Sequence, residues 1–404
     1  MSNSANKAQK ILIPLAFVGV MFFSLGFALG INSFLMPVLR NSLSATGAQS
    51  NLLLAATFLP FIIFGIPAVR CIELIGYKKT MAVSFALFAG AFGLFILAAH
   101  TSSFAWFLAA SALSGTANCV LQASVNPYVT ILGPLESAAQ RISIMGICNK
   151  LAWPVTTLFI TGVISKTIEE ITLTDLTMPF LMIAGIFVVL GIIALMAPLP
   201  DVKPETVAAE TADASTERPP MSSITKYPHL ILGAIALFIY VGVETISLAT
   251  ATDYAKSIGL TGDNWGFIPS FGMIAGYLVG AFCIPRFISQ VKAFQICAVV
   301  AVIGSVLVVV APASISVWFI FLMALGCSLM WPALWPMAMT DLGNFTERGS
   351  SLLTMAIAGG AVMPWVRGLV EDALASFQLS FIVCIPCFLF ILWYGFWGYK
   401  IRKS

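Results

Sequence analysis

The chain has 404 residues, of which 59% are hydrophobic and only 9% charged. Soluble domains carry about 25% charged residues, so the composition excludes a water-soluble protein and predicts an all-α membrane protein. The formal net charge of +3 leaves no electrostatic footprint for nucleic acid.

A helix needs about 20 apolar residues to cross a bilayer core. Twelve such runs occur, near 11–36, 50–70, 79–99, 103–131, 140–164, 178–198, 230–254, 265–283, 292–311, 314–337, 351–370 and 378–398. The first is too long for a signal-peptide core and reads as a full span. The polar stretch 200–229 follows the sixth run. It is acidic, rich in proline and poor in large apolar side chains, and reads as a linker. It divides the chain into a first six-helix bundle (1–199) and a second (230–404). Of the twenty lysines and arginines, fifteen fall in segments on the side of the termini. Three, Arg40, Lys166 and Lys256, fall on the other, and Lys150 and Arg367 lie within spans. The positive-inside rule then places both termini in the cytoplasm. The eight cysteines lie mostly in apolar runs and read as small core residues. No disulfide framework, structural metal or cofactor is expected. No Walker motif and no catalytic constellation appear, so neither ATP-driven transport nor a membrane enzyme is expected. Two bundles joined by a long linker fit a secondary transporter, with substrate held near the midplane between the halves.

In chain order, the first run contains FFSLGFALGINSFLMP (22–37), with Asn32 inside it. The loop after the second run reads GIPAVRCIELIGYKK (65–79), two glycines framing a basic residue and ending in two lysines. The fourth run ends in LQASVNPYVTILGP (121–134). Asn126-Pro127 is expected to interrupt that helix, because proline removes a backbone donor and frees a carbonyl. Gln122 lies four residues earlier, on the same face.

The fifth run holds GICNKLAW (146–153), which places Lys150 near mid-span. A charge there costs about 2.5–3.5 kcal/mol on insertion scales, so it must face the bundle interior or a wet cavity. The only central acid is Glu244, in FIYVGVETIS (238–247) of the seventh run. Three roles stay open for Lys150. It is a built-in cation that bonds substrate in place of a coupling ion; or it pairs with Glu244 across the halves; or it caps carbonyls freed at Asn126-Pro127. Glu244 stays neutral as a hydrogen-bond donor, carries a proton, or holds Na⁺ with Thr245 or Ser247.

A polar organic substrate held at the midplane needs amides for its hydrogen-bonding groups and rings for its apolar faces. The amides within spans are Asn32, Asn118, Gln122, Asn126 and Asn149. Trp153 lies four residues after Asn149 on one helix face, and Trp331 and Trp335 lie four apart in PALWPMAMTDLG and the residues before it. Each tryptophan also has a packing reading. Gly272, Gly276 and Gly280 form a small-residue stripe for close packing, and Gly359-Gly360 with Pro364 make the eleventh run deformable.

The loop 65–79 resembles the motif between helices 2 and 3 of the major facilitator superfamily, with the usual Asp missing. The stretches 22–37, 121–134, 238–247, 332–343 and 350–364 resemble the fucose–proton symporter family of that superfamily, nearest its glucose/galactose permeases. The resemblance spans most of the chain. It implies a twelve-helix major facilitator fold in two six-helix bundles, in the bacterial inner membrane. It implies import of a monosaccharide by alternating access, with glucose or galactose first and a proton or sodium gradient as the driving force. A uniporter, a carrier of an acidic or N-acetylated sugar, and a non-transporting sensor remain alternatives. Residue by residue, the helix 1 pair is Asn32-Ser33, without the carboxylate of fucose-type members. The helix 4 position is Gln122 rather than Glu, and the helix 7 Glu of the glucose/galactose branch is Glu244. Asn149 is kept, and Lys150 follows it. The expected substrate-binding set is therefore Asn32, Gln122, Asn126, Asn149, Lys150, Trp153, Trp331 and Trp335. Glu244 and Lys150 form the coupling set, and membrane lipid is the surrounding partner.

Overall fold

The computed structural model describes residues 2–131, 138–197, 226–284, 287–342 and 346–402. Described residues are almost wholly helical. Helices α1 (Ser2–Leu43), α2 (Gly47–Phe58), α3 (Pro60–Thr101), α4 (Phe104–Ile131), α5 (Ala138–Ile164) and α6 (Thr177–Met196) make the first half. The second half holds α7 (Pro228–Ser257), α8 (Phe267–Cys283), α9 (Gln290–Val310), α10 (Ala313–Ser316), α11 (Phe319–Cys327), α12 (Met330–Met339), α13 (Thr346–Ala356), α14 (Gly359–Leu374), α15 (Phe377–Ser380) and α16 (Cys384–Phe396).

Eleven stretches among the described residues are long and apolar enough to cross a membrane. One of them, Gly47–Thr101, has 55 residues. As a single helix it would be about 80 Å long at 1.5 Å per residue, far beyond a bilayer core. The chain breaks its helix at Gly76, whose φ of 79° and ψ of 168° suit glycine alone. The stretch is thus two crossings, which gives the twelve expected. The turn falls inside the 65–79 loop motif.

Two sequence expectations change. Helix α4 runs unbroken to Ile131, so Asn126-Pro127 does not end it. A proline costs a helix one hydrogen bond but leaves neighbouring turns able to continue. The tenth run is not one helix but α10, α11 and α12, separated at Val317-Trp318 and at Ser328-Leu329. Cys384 and Cys387 stand at Cys-x-x-Cys spacing, yet both are buried free thiols. The linker 200–229 lies largely outside the described residues.

The helices of each half pack on one another. In the first half α1 packs on α5, and α3 on α4 and α6; in the second, α9 and α8 pack on α11, and α7 on α12, α14 and α16. Aromatic side chains fill the first bundle, where Phe88 stacks on Phe187 at 4.8 Å and Phe92 meets Phe180 edge-on at 5.6 Å. Helix α6 turns a continuous apolar face outward, including Leu181, Val188 and Ile192, which suits lipid contact. The halves meet where α2 packs on α14 and α5 on α8. Close approach needs small residues there. A Cβ at Gly360 would meet the Phe58 ring at 2.7 Å, and one at Gly146 would meet Tyr277 at 3.0 Å.

Candidate substrate site between the two bundles

At mid-span, Lys150 of α5 meets Glu244 of α7, with Nζ 2.9 Å from Oε1. Both side chains are nearly enclosed, at 12% and 11% exposure. Among the three readings of Lys150, the pairing is the one the structure displays. The helices carrying the two residues do not pack extensively on each other, since α5 rests on α1 and α8 and α7 on α12, α14 and α16. The long lysine stem spans the remaining gap.

Rings and polar atoms surround the pair. Tyr240, one turn before Glu244, interacts with its carboxylate, and Tyr277 of α8 and Cys327 of α11 lie within its field. Trp331 stands 6.5 Å from the Tyr240 ring and 5.6 Å from Trp335, centroid to centroid. Trp331 and Trp335 are half-buried. Trp153, three residues after Lys150, is 3% exposed and its indole N–H has no hydrogen-bond partner. An unpaired donor this deep is costly to leave unmade.

The amides form a second feature. Asn149 donates to the Phe22 carbonyl at 3.1 Å, and Asn118 donates to the Leu25 carbonyl at 3.1 Å. Gln122 donates to the Asn118 side chain at 2.8 Å. Asn32 donates to Thr57 at 3.1 Å and accepts from Ser111 at 3.3 Å. These bonds tie α4, α5 and α2 to the backbone and side chains of α1. Asn32 is 2% exposed, and it lies one helix away from the Lys150–Glu244 pair. Asn126 is exposed, one turn beyond Gln122. The structure therefore joins Lys150 to Glu244, with Tyr240 one turn from Glu244, Trp331 beside Tyr240 and Trp335 beside Trp331, and Trp153 three residues after Lys150. It gives Asn149 and Asn32 helix-to-helix bonds, and Gln122 a bond to Asn118 within α4.

Tyr240 and Tyr277 escaped the sequence reading. Tyr240 had a usable signal, standing four residues before Glu244 on the same face. Tyr277 sits next to Gly276 in the stripe read as packing.

At the end of the bundle opposite the termini, a charge network crosses between the halves. Arg40 contacts Asp253 at 2.9 Å and Glu371 at 2.6 Å. Arg367, fully buried, holds Glu371 at 3.0 Å, Ser380 at 2.8 Å and the face of Phe377 at 4.4 Å. Asp372 accepts from the backbone N–H of Gly47 at 2.7 Å and of Ala48 at 2.9 Å, so one half caps a helix of the other. Lys256 reaches Glu169 at 2.5 Å and Asp263 at 2.7 Å. Partial burial raises the Glu169 carboxyl, but hydrogen bonds from Lys256 and the backbone outweigh it and hold the group below its usual range. These contacts shut this end.

A family model described as Major Facilitator Superfamily matches residues 18–364. The chain belongs to the major facilitator superfamily. It is 31% identical over 399 residues to a protein of Brucella abortus biovar 1 (strain 9-941) named glucose/galactose transporter, covering 94% of this chain and 93% of that one. It is 22% identical to the L-fucose-proton symporter of Escherichia coli (strain K12), covering 96% of this chain and 93% of that one. A crystal structure of the superfamily transporter FucP in the outward conformation has the same fold, with a TM-score of 0.70 at 21% identity over 96% of this chain and 99% of that one.

Proposed function

We propose that this chain imports a monosaccharide across the bacterial inner membrane by alternating access, with glucose or galactose as first choice, driven by the proton gradient. The observation that carries this reading is the cross-bundle cluster of Lys150, Glu244, Tyr240 and Trp331. It is a polar spot with aromatic walls at mid-span, in a chain similar to named glucose/galactose transporters. Trp331 and Trp335 supply faces for sugar C–H groups, and Lys150, Glu244, Gln122, Asn149 and the free Trp153 N–H supply hydroxyl partners. Asn126 and Asn32 act at the margin.

A neutral sugar is favoured over an acidic one. The buried cations Lys150, Arg40 and Arg367 are each already matched to a carboxylate, so a sugar carboxylate would have to displace one. A proton is favoured over sodium, because an ammonium already stands beside Glu244 where a metal cation would sit. The lysine and arginine count supports both termini in the cytoplasm, which makes the shut end the outer one. The same count and the polar stretch 200–229 support two bundles, 1–199 and 230–404, with a cytoplasmic linker.

The test is uptake in proteoliposomes of labelled glucose, galactose, mannose, fucose, N-acetylglucosamine and glucuronate, each without a gradient, with a proton gradient and with a sodium gradient. Accumulation of a neutral hexose under the proton gradient is expected. Preference for glucuronate, or accumulation under sodium alone, would overturn the choice of substrate or ion.

A further inference from the structure

The seam between α5 and α8 holds two buried polar groups that the folded chain leaves unmatched. Other in-span hydroxyls bond back to their own helix: Thr245 donates to the Val241 carbonyl at 2.7 Å, Ser247 to Val243 at 2.8 Å and Ser328 to Leu325 at 2.7 Å. Ser270 of α8 is 0% exposed, and its hydroxyl has no partner among the described residues. The Trp153 indole N–H is in the same position. A buried donor left unmatched carries its full desolvation cost.

Contacts along the seam put the two groups at one level. A Cβ at Gly146 would meet the Tyr277 ring at 3.0 Å, and one at Gly266, just before α8, would meet the Pro154 Cβ at 3.6 Å. The two helices thus run antiparallel. On α8, Gly266, Ser270 and Tyr277 fall on one face, and on α5, Gly146, Lys150 and Pro154 fall on the face opposite. Ser270 therefore stands across from the turn between Lys150 and Pro154. Trp153 lies between that face and the one α5 turns to α1 through Asn149 and Thr156. Pro154 supplies a third group. It has no N–H, so the Lys150 carbonyl, four residues earlier, loses its helical donor.

We infer that Ser270, the Trp153 N–H and the Lys150 carbonyl form a subsite that reads a single substrate hydroxyl and so sets which sugars are accepted; this rests on the sugar-carrier reading above. One hydroxyl satisfies all three groups at once. Its oxygen accepts from the Trp153 N–H and the Ser270 O–H, and its proton goes to the Lys150 carbonyl. A carboxylate oxygen has no proton to give that carbonyl, and an ammonium has no lone pair for the two donors. A sugar lacking this hydroxyl leaves two donors and one acceptor stranded, so the seam rejects it. Ser270 belongs to the second bundle and the other two groups to the first, so the hydroxyl is read only where both halves close on it.

The experiment uses purified full-length protein in proteoliposomes. Counterflow of labelled glucose or galactose is inhibited with the unlabelled parent sugar and with each of its monodeoxy analogues. The readout is the loss of affinity caused by each missing hydroxyl. In wild type, one position is expected to cost about 10- to 100-fold, because its removal strands buried polar groups. Ser270→Ala and Trp153→Phe are each expected to shrink the penalty at that same position by about tenfold and to leave the penalties at other positions as in wild type. Should Trp153→Phe fail to fold, Ser270→Ala, smaller by one oxygen atom, carries the test. An equal loss for the parent and every analogue is the mark of a merely structural role and overturns the inference. So does a pattern of penalties unchanged in Ser270→Ala, or a wild type in which no position is costly. Absence of counterflow with both sugars in wild type instead removes the carrier reading itself, and the two failures are thereby distinguishable.

Discussion

Lys150 and Glu244 are the residues on which the account turns, and their energetics can be tested apart from transport. Removing one member of a buried pair costs about 3–5 kcal/mol, because the survivor is left charged and unmatched. Lys150→Met is therefore expected to lower the thermal unfolding midpoint in detergent. Adding Glu244→Gln to Lys150→Met should recover most of the loss, since no unmatched charge remains. A double variant less stable than Lys150→Met would mean that the pair does not form. The charge of each residue was plain in the sequence, because a lone base and a lone acid at mid-span need partners. Their direct contact was only one of three options there, since no sequence period relates α5 to α7. The amides were legible as unusual but not in their role. Asn32 and Asn149 reach to partners on α2 and to the backbone of α1, and nothing in their spacing names Thr57 or Phe22 as the acceptor.

At the scale of the element, twelve apolar runs predicted twelve crossings because the bilayer fixes helix length from composition alone. Two details were not legible. Pro127 suggested a helix end, but α4 tolerates it, because a single lost bond does not outweigh continued packing against α3 and α1. The tenth run split at Val317-Trp318 and at Ser328-Leu329, where the hydropathy gives no warning. Helix packing across α1 and α5 leads to a second prediction. A Cβ on Gly26 would run into the backbone carbonyl of Asn149, which cannot move aside as a side chain would. Gly26→Val is expected to destabilise the fold by about 1–3 kcal/mol by overpacking, and to reduce sugar affinity by shifting Asn149 and Lys150. An unfolding midpoint equal to that of wild type would show that α1 and α5 are further apart than described.

On the scale of the whole molecule, the charge network at the end opposite the termini ties the two halves together. Its members were individually visible in the sequence as charges near span ends, but Arg40 and Glu371 are 331 positions apart and only the folded halves bring them together. Arg40→Ala removes the guanidinium's contacts with Asp253, Glu371 and the Phe377 ring and should shift the population toward the outward-open state. The distance between spin labels at Ser44 and Thr261, in a background without native cysteines, is expected to lengthen relative to the unsubstituted chain. An unchanged distribution would mean that the network does not hold the state. Acid should act in the same direction. Burial raises the Glu169 carboxyl, but hydrogen bonds from Lys256, the backbone and Thr167 together hold it below its usual range. Its contribution to the shut state is complete above the usual carboxylate range and is lost as outside pH falls through the lowered value. Outside acidification should therefore lengthen the same label distance, and Glu169→Gln should blunt that response.

The most direct measurement is counterflow of labelled glucose and galactose in proteoliposomes preloaded with the same unlabelled sugar, with no ion gradient. Counterflow needs a reorienting sugar site and no coupling ion, so it isolates the claim that the cross-bundle cluster binds a neutral hexose and exposes it to alternate sides. The account predicts a transient overshoot of label, saturable with sugar and suppressed by Trp331→Ala. Label entering only at the rate of protein-free vesicles, from well-folded protein and for both sugars, would contradict it.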